Sequence, residues 1–230
     1  MKEKRPVAVF DIDGTIFRSS LLLELVECLI ERDIFPKETR EVYANEHLQW
    51  LDRKGDYSVY VHKVVDAFGR QLKGVPYGEV ADVAGEIIEE MKNRVYRYTR
   101  DLVQDLKHRG YYLLAISHSP KLIVDGFGYE LGFDKTYGIF YSTGASGCFT
   151  GGIEDEDLIM NKGTILRRVV RKEGLTFVGS VAVGDTESDL PMLELAETSI
   201  AFNPNKLLYR EARRNGWQVV VERKDVIYEL

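Results

Sequence analysis

The sequence predicts an α/β protein: a three-layer, doubly wound parallel sheet with a helical unit inserted near its start. Short apolar runs alternate with helical patterns along most of the chain, as strands joined by crossover helices do. Those runs are continuous rather than alternating, Leu113-Leu114-Ala115-Ile116 being the clearest. That is the pattern of strands buried on both faces. The alternation breaks once, between about Ser20 and Tyr96, where only helical signals occur.

In chain order the strands are expected at Val7–Phe10, Tyr111–Ile116, about Tyr137–Tyr141, Val178–Val183 and Ser199–Phe202, with a further one at Gln218–Val221. Gly144-Ala145-Ser146-Gly147 separates Gly138–Ser142 from Cys148–Thr150, which reads as a hairpin. Inside the insert, Leu21-Leu22-Leu23, Leu25-Val26 and Leu29-Ile30 form a helical pattern, with Ser19 or Ser20 in N-cap position. Pro36 starts the next segment and Gly55-Asp56 precedes a helix over Tyr57–Phe68. Lys73-Gly74-Val75-Pro76 breaks the chain before a helix carrying Val80, Val83, Ile87, Ile88 and Met91. One long helical crossover within a single domain is the alternative, but three or four helices are more than one crossover needs. The expected division is a core of residues 1–17 and 97–230 with a cap at 18–96.

Bulk composition narrows the function. The 230 residues are 44% apolar, ordinary for a soluble globular chain. A net charge of −6 argues against generic nucleic-acid binding, which wants a basic face. It leaves room for a small anionic substrate in a locally cationic pocket. Cys28 and Cys148 are far apart and lack metal-ligand spacing, so a reducing cytosol is the expected compartment. Met1–Pro6 is charged and too short for a signal sequence, and no apolar run reaches membrane-spanning length. Oligomeric state is not legible.

Chemistry gathers at the ends of the expected strands. Val7–Phe10 runs into Asp11-Ile12-Asp13-Gly14-Thr15. Side chains two apart leave a strand on the same side, so both carboxylates point toward the crevice where open α/β sheets bind ligands. Two acids so close call for a cation or a shared proton. After the second strand comes Ser117-His118-Ser119-Pro120, a hydroxyl and free N–H groups before a helix, which suits an anion. Asn161-Lys162-Gly163 opens the helix of Ile165, Leu166, Val169 and Val170. Val183-Gly184-Asp185-Thr186-Glu187-Ser188-Asp189 then ends a strand in two acids four apart, able to face one place or to cap a helix.

These four segments, in this order, resemble the four motifs of the haloacid dehalogenase superfamily. The long insert after the first resembles its phosphoserine-phosphatase-like branch. The resemblance implies a Mg²⁺-dependent phosphatase acting on a small phosphorylated metabolite, with no nucleic acid or membrane partner. Asp11 would be the nucleophile that forms an aspartyl-phosphate, and Asp13 the general acid, then base. Ser117 and Lys162 would hold the phosphoryl group. Asp11, Asp13 (through its backbone carbonyl) and Asp185 would hold the metal, with Asp189 a ligand or an orienting group. Arg18, Ser20 and His118 are the candidates for the rest of the substrate. Arg53 and Arg70 could also reach it, although they read more simply as surface charges. Phosphoserine phosphatases carry a glutamate shortly after motif one and Ser-Gly-Gly at motif two. Here the neighbourhood is Phe17-Arg18-Ser19-Ser20 and motif two is Ser117-His118-Ser119, which argues against carrying phosphoserine over as substrate. His118 either touches substrate or turns away. A phosphotransferase or phosphomutase using the same intermediate is the main alternative, and a receiver-like phosphate-binding protein the second.

Overall fold

The computed structural model describes residues 4–230. Its strands are β1 (Pro6–Phe10), β2 (Tyr112–Pro120), β3 (Lys135–Thr143), β4 (Phe149–Glu154), β5 (Thr176–Gly184), β6 (Thr198–Phe202), β7 (Gln218–Arg223) and β8 (Val226–Glu229). Its helices are α1 (Leu21–Glu31), α2 (Ala44–Leu51), α3 (Tyr57–Leu72), α4 (Tyr77–Met91), α5 (Arg97–His108), α6 (Lys121–Leu131), α7 (Glu156–Ile159), α8 (Lys162–Lys172), α9 (Leu190–Leu193) and α10 (Lys206–Asn215). Short 3₁₀ turns occupy Lys37–Val42 and Glu187–Asp189.

One sheet of order β4-β3-β2-β1-β5-β6-β7-β8 organises the chain. The pairs among β3, β2, β1, β5, β6 and β7 are parallel, and β4 and β8 add antiparallel edges. Val7, Ala8, Val9 and Phe10 are each at most 1% exposed. Successive strand residues face opposite sides, so both faces of the sheet are covered, as the continuous apolar run requires. The hairpin expected around Gly144–Gly147 is the β3–β4 pair, with Thr143 opposite Phe149. β8 is not among the strands expected from the sequence: the apolar run Val226-Ile227-Tyr228 is only three residues long, and it forms a short edge whose other neighbour is solvent.

Residues 21–91 contain no strand. α1 buries Leu21, Leu22, Leu25, Val26, Leu29 and Ile30, and α4 buries Val80, Val83, Ala84, Ile87, Ile88 and Met91. Side chains of this size each contribute about 1.5–3 kcal/mol when fully buried. The two segments that connect this helical stretch to the sheet run side by side. Phe17 bridges Val95, Arg18 N–H donates to the Arg94 carbonyl at 3.0 Å, and Tyr96 N–H to the Ile16 carbonyl at 2.9 Å. A second attachment lies at the hairpin: Gly74 N–H donates to the Phe149 carbonyl at 2.8 Å and Phe149 N–H to the Val75 carbonyl at 2.9 Å. Phe68 meets Tyr141 edge-on nearby, with ring centroids 5.2 Å apart. Among the described residues no helix is long and apolar enough to cross a membrane.

Candidate active site

From β1 the chain moves through β2 and β3 on one side, and later through β5, β6 and β7 on the other. The boundary between β1 and β5 is therefore where strand order reverses, and a crevice opens at the carboxyl ends of such strands. The register sets Phe10 beside both Ala115 and Val183. Asp11 follows β1, Asp185 follows β5, and Ser117 lies in β2 two residues past Ala115, so the three come to the same end of the sheet. Asp11 N–H still donates to the Val183 carbonyl, at 3.0 Å.

Lys162 joins two of the acids. Its Nζ donates to Asp11 Oδ1 at 2.5 Å and to Asp189 Oδ1 at 2.6 Å, and the residue is 1% exposed. It reaches them from the first residue of α8, whose N-terminus is capped by Asn161 Oδ1 accepting from Thr164 N–H at 3.0 Å. Gly163 lets that end approach: a Cβ there would stand 2.4 Å from the Pro191 carbonyl oxygen. Asp189 also caps its own turn. Its Oδ2 accepts from the N–H groups of Asp185 (3.0 Å) and Thr186 (3.1 Å). Asp189 thus fixes the ammonium and the loop bearing Asp185, and it also stands with Asp11 and Asp185 as a donor that could face a cation.

Asp13 is held by different partners. Its Oδ2 accepts from Ser117 Oγ and, at 2.9 Å, from Ser119 Oγ, while Oδ1 accepts from Leu21 N–H at 2.6 Å. Its carboxylate therefore stands apart from the Asp11–Lys162–Asp189 group, and any ligand role would fall to its backbone carbonyl. The position of Ser20 as N-cap of α1 holds, but its side chain makes no capping bond. Asp13 caps that helix instead, together with Ser119 Oγ, which accepts from Leu22 N–H at 3.1 Å. β2 also runs farther than the apolar run suggests, through Pro120, with its register against β3 shifting between Ile116 and Pro120.

Asp185 lies on the other side of Asp11. Thr15 Oγ donates to its Oδ1 at 3.4 Å, and Gly14, at φ 77°, passes so close that a Cβ would sit 2.2 Å from Asp185 Oδ2. Oxygens of Asp11, Asp185 and Asp189 lie within 4.8 Å of one another. Burial, partly offset by Lys162 and reinforced by Asp189 and Asp13, pushes Asp11 up to about 7. Burial and then Asp11 and Asp189 raise Asp185 well above the carboxylate range. Burial works against the charge of Lys162, but Asp11 and Asp189 outweigh it and hold the ammonium above its ordinary range. One ammonium thus faces more carboxylate than it neutralises. An all-oxygen donor set short of positive charge suits a hard divalent cation.

The remaining candidates separate. His118 Nε2 donates to the Ile159 carbonyl at 3.2 Å, turning the ring toward the α7–α8 junction. Burial and then the charge of Lys162 hold it down at about 4, so it is neutral near pH 7. Arg18 is exposed and lies over the ring of Tyr96, 5.7 Å from its centroid. Arg53 lies over Trp50 at 5.3 Å, and Arg70 is exposed on α3. Sequence reasoning missed Ser119, whose only signal was its place two residues after Ser117. Tyr57 packs on Trp50, at 5.1 Å between centroids, and its phenol is raised by desolvation and next by the charges of Asp13 and Asp185.

Comparison with known proteins agrees with this geometry. The haloacid dehalogenase-like hydrolase family matches residues 8–194, which include all four motifs. The chain belongs to the haloacid dehalogenase-like hydrolases. Within the family it is phosphoserine-phosphatase-like in sequence and fold. The phosphoserine phosphatase of Methanocaldococcus jannaschii is 26% identical over 233 residues, covering 98% of this chain and 96% of that one. The "Inhibition of morphological differentiation protein" of Streptomyces azureus is 24% identical over 221 residues, covering 94% of this chain and 78% of its own length. A solved "Phospho-Aspartyl Intermediate Analogue of Phosphoserine phosphatase" superposes with a TM-score of 0.61 at 25% identity, covering 97% of this chain and 96% of that one.

Proposed function

We propose that this hydrolase is a Mg²⁺-dependent phosphatase that cleaves a small phosphomonoester in two steps. The observation that carries the reading is the division of the acids. Asp11 is clamped by a buried lysine, whereas Asp13, two residues on, is clamped by hydroxyl and amide donors. Two carboxylates in different surroundings can take different roles.

In the first step an Asp11 carboxylate oxygen attacks phosphorus, the ester P–O bond breaks, and Asp13 gives a proton to the departing alcohol. In the second, water attacks the phosphorus of the aspartyl-phosphate, Asp13 takes its proton, and Asp11 and inorganic phosphate are released. Lys162 orients Asp11 and offsets charge on the phosphoryl oxygens, and Ser117 exchanges its bond to Asp13 for one to phosphate. Asp11, Asp185 and the Asp13 carbonyl would hold the divalent cation, which when bound neutralises carboxylate and phosphoryl charge. Asp189 keeps Lys162 and the Asp185 loop in place. Phosphoryl transfer gains most of its rate from such positioning and electrostatics.

Residues 18–96 serve as a cap over the crevice, joined to the core by the paired segments at Phe17 and Val95. Tyr57, whose phenol feels the charges of Asp13 and Asp185, is the cap residue assigned to the substrate side. Because Ser20 stands in the neighbourhood where phosphoserine phosphatases carry glutamate, recognition of an amino group has no counterpart there.

The test is phosphate release from a panel of phosphomonoesters, phosphoserine included, with Mg²⁺ and with chelator, for the wild-type protein and Asp11→Asn. Metal-dependent release that Asp11→Asn abolishes supports the reading. An isomeric phosphate ester as sole product, or undiminished turnover by Asp11→Asn, overturns it.

A further inference from the structure

We propose that Ser119 is a positioning residue for the proton transfer at Asp13, a role that rests on the phosphatase reading above. Ser119 is 2% exposed, and its hydroxyl has two partners. It donates to Asp13 Oδ2 at 2.9 Å and accepts from Leu22 N–H at 3.1 Å. Its own N–H donates to Ser117 Oγ at 2.8 Å, and Ser117 Oγ donates to the same Asp13 oxygen. The residue therefore touches every element that fixes the Asp13 carboxylate: the second motif, the first turn of α1, and the carboxylate itself.

The consequence follows from what happens to Ser117. When Ser117 turns its hydroxyl toward a phosphoryl oxygen, Asp13 Oδ2 loses one of its two hydroxyl donors. Ser117 is the serine assigned to the phosphoryl group, whereas Ser119 Oγ is anchored on Leu22 N–H of α1 and its one donated bond goes to Asp13. Ser119 thus remains on Asp13 through the step in which Ser117 changes partner. It keeps the carboxyl group aimed at the ester oxygen. A displacement of about 1 Å at a reacting group costs on the order of 100-fold in rate. This serine occupies a place where a glycine would leave the carboxyl with only Leu21 N–H, so the device belongs to this chain's own second motif, Ser117-His118-Ser119.

A leaving-group comparison tests the role. Phenyl phosphate and p-nitrophenyl phosphate have nearly the same shape, so the cap treats them alike. Phenolate is strongly basic and needs a proton as it departs, whereas p-nitrophenolate leaves readily as the anion. Ser119→Ala is expected to lower kcat/KM for phenyl phosphate about tenfold and to change that for p-nitrophenyl phosphate by less than about twofold. The ratio of the two is independent of how many molecules are folded, so a poorly folding variant still reports. Ser119→Thr, which keeps a hydroxyl, should restore the wild-type ratio. Equal loss for both esters in Ser119→Ala, or no loss for phenyl phosphate, overturns the proposal. Asp13→Asn, measured in parallel, separates it from the reading beneath. An ester-selective loss in Asp13→Asn alone rejects Ser119 and leaves the acid in place. Equal loss of both esters in Asp13→Asn rejects Asp13 as the acid.

Discussion

A methyl group added at Gly163 is expected to damage this protein where the same change elsewhere would help it. Gly163 lies in the first turn of α8, beside Lys162. A Cβ there would stand 2.4 Å from the Pro191 oxygen, 2.9 Å from the Pro191 carbonyl carbon and 3.0 Å from its Cβ. These are backbone and ring atoms that no rotamer can move. Ordinary contact begins near 3.4 Å, so α8 and the segment after Asp189 must part by about 1 Å. Overpacking of this kind costs about 1–3 kcal/mol, more than the ~1 kcal/mol that replacing helical glycine with alanine returns. The net loss, up to about 2 kcal/mol, lowers Tm by up to about 8 °C in a chain of this length. The same movement pulls Lys162 from Asp11 and Asp189, which it bridges at 2.5 and 2.6 Å, so kcat should fall by up to about 100-fold. Gly85→Ala is the control. Gly85 is exposed in α4, and nothing lies within 4 Å of its added Cβ. That variant should gain about 0.5–1 kcal/mol and keep full activity. The assay is a thermal melt of both variants with steady-state phosphate release. A Gly163→Ala protein as stable and active as Gly85→Ala would show that α8 does not depend on this approach to hold Lys162.

Stability should depend on pH in an unusual direction when divalent cations are removed. Folded Asp11, pushed to about 7, and Asp185 keep protons that the unfolded chain releases near its ordinary carboxyl value of 3.8. The folded state then binds more protons than the unfolded one, so stability falls as pH rises from about 4 to 7, by about 1.4 kcal/mol per pH unit for each proton held. Denaturant midpoints across that range should flatten on adding Mg²⁺ and in Asp11→Asn, and parallel curves for wild type and variant would refute the assignment. On the proposed cap, Tyr57→Ala should raise KM about tenfold with kcat within about twofold, because in the assigned role the change removes a binding surface and leaves the reacting groups in place. An unchanged KM for the best ester of the panel would place Tyr57 outside the substrate's path.

The sequence alone determined the parallel strands, because a strand buried on both faces must be continuously apolar and Val7–Phe10 or Leu113–Ile116 satisfy that locally. It also determined which residue types end those strands. Asp11, Asp13, Ser117 and Asp185 at or beside the strand ends, and Lys162 at a helix start, are costly to bury and mark the place of chemistry. β8 escaped because its apolar run, Val226-Ile227-Tyr228, is only three residues long and lies on an exposed edge. The partners of the polar groups were decided by tertiary structure. Ser20 is a sound local choice to cap α1, yet Asp13 and Ser119 do it, the latter from 97 residues away. Asp11 and Asp13 share one side of a strand by spacing, but lysine and hydroxyl donors brought from α8 and β2 give them separate surroundings. The imidazole of His118 could have faced the crevice or the protein, and the carbonyl of Ile159 settled it. Apolar burial follows a period along the chain and can be read there. A hydrogen bond between two strand ends depends on how the sheet is ordered, and that order exists only once the strands have met.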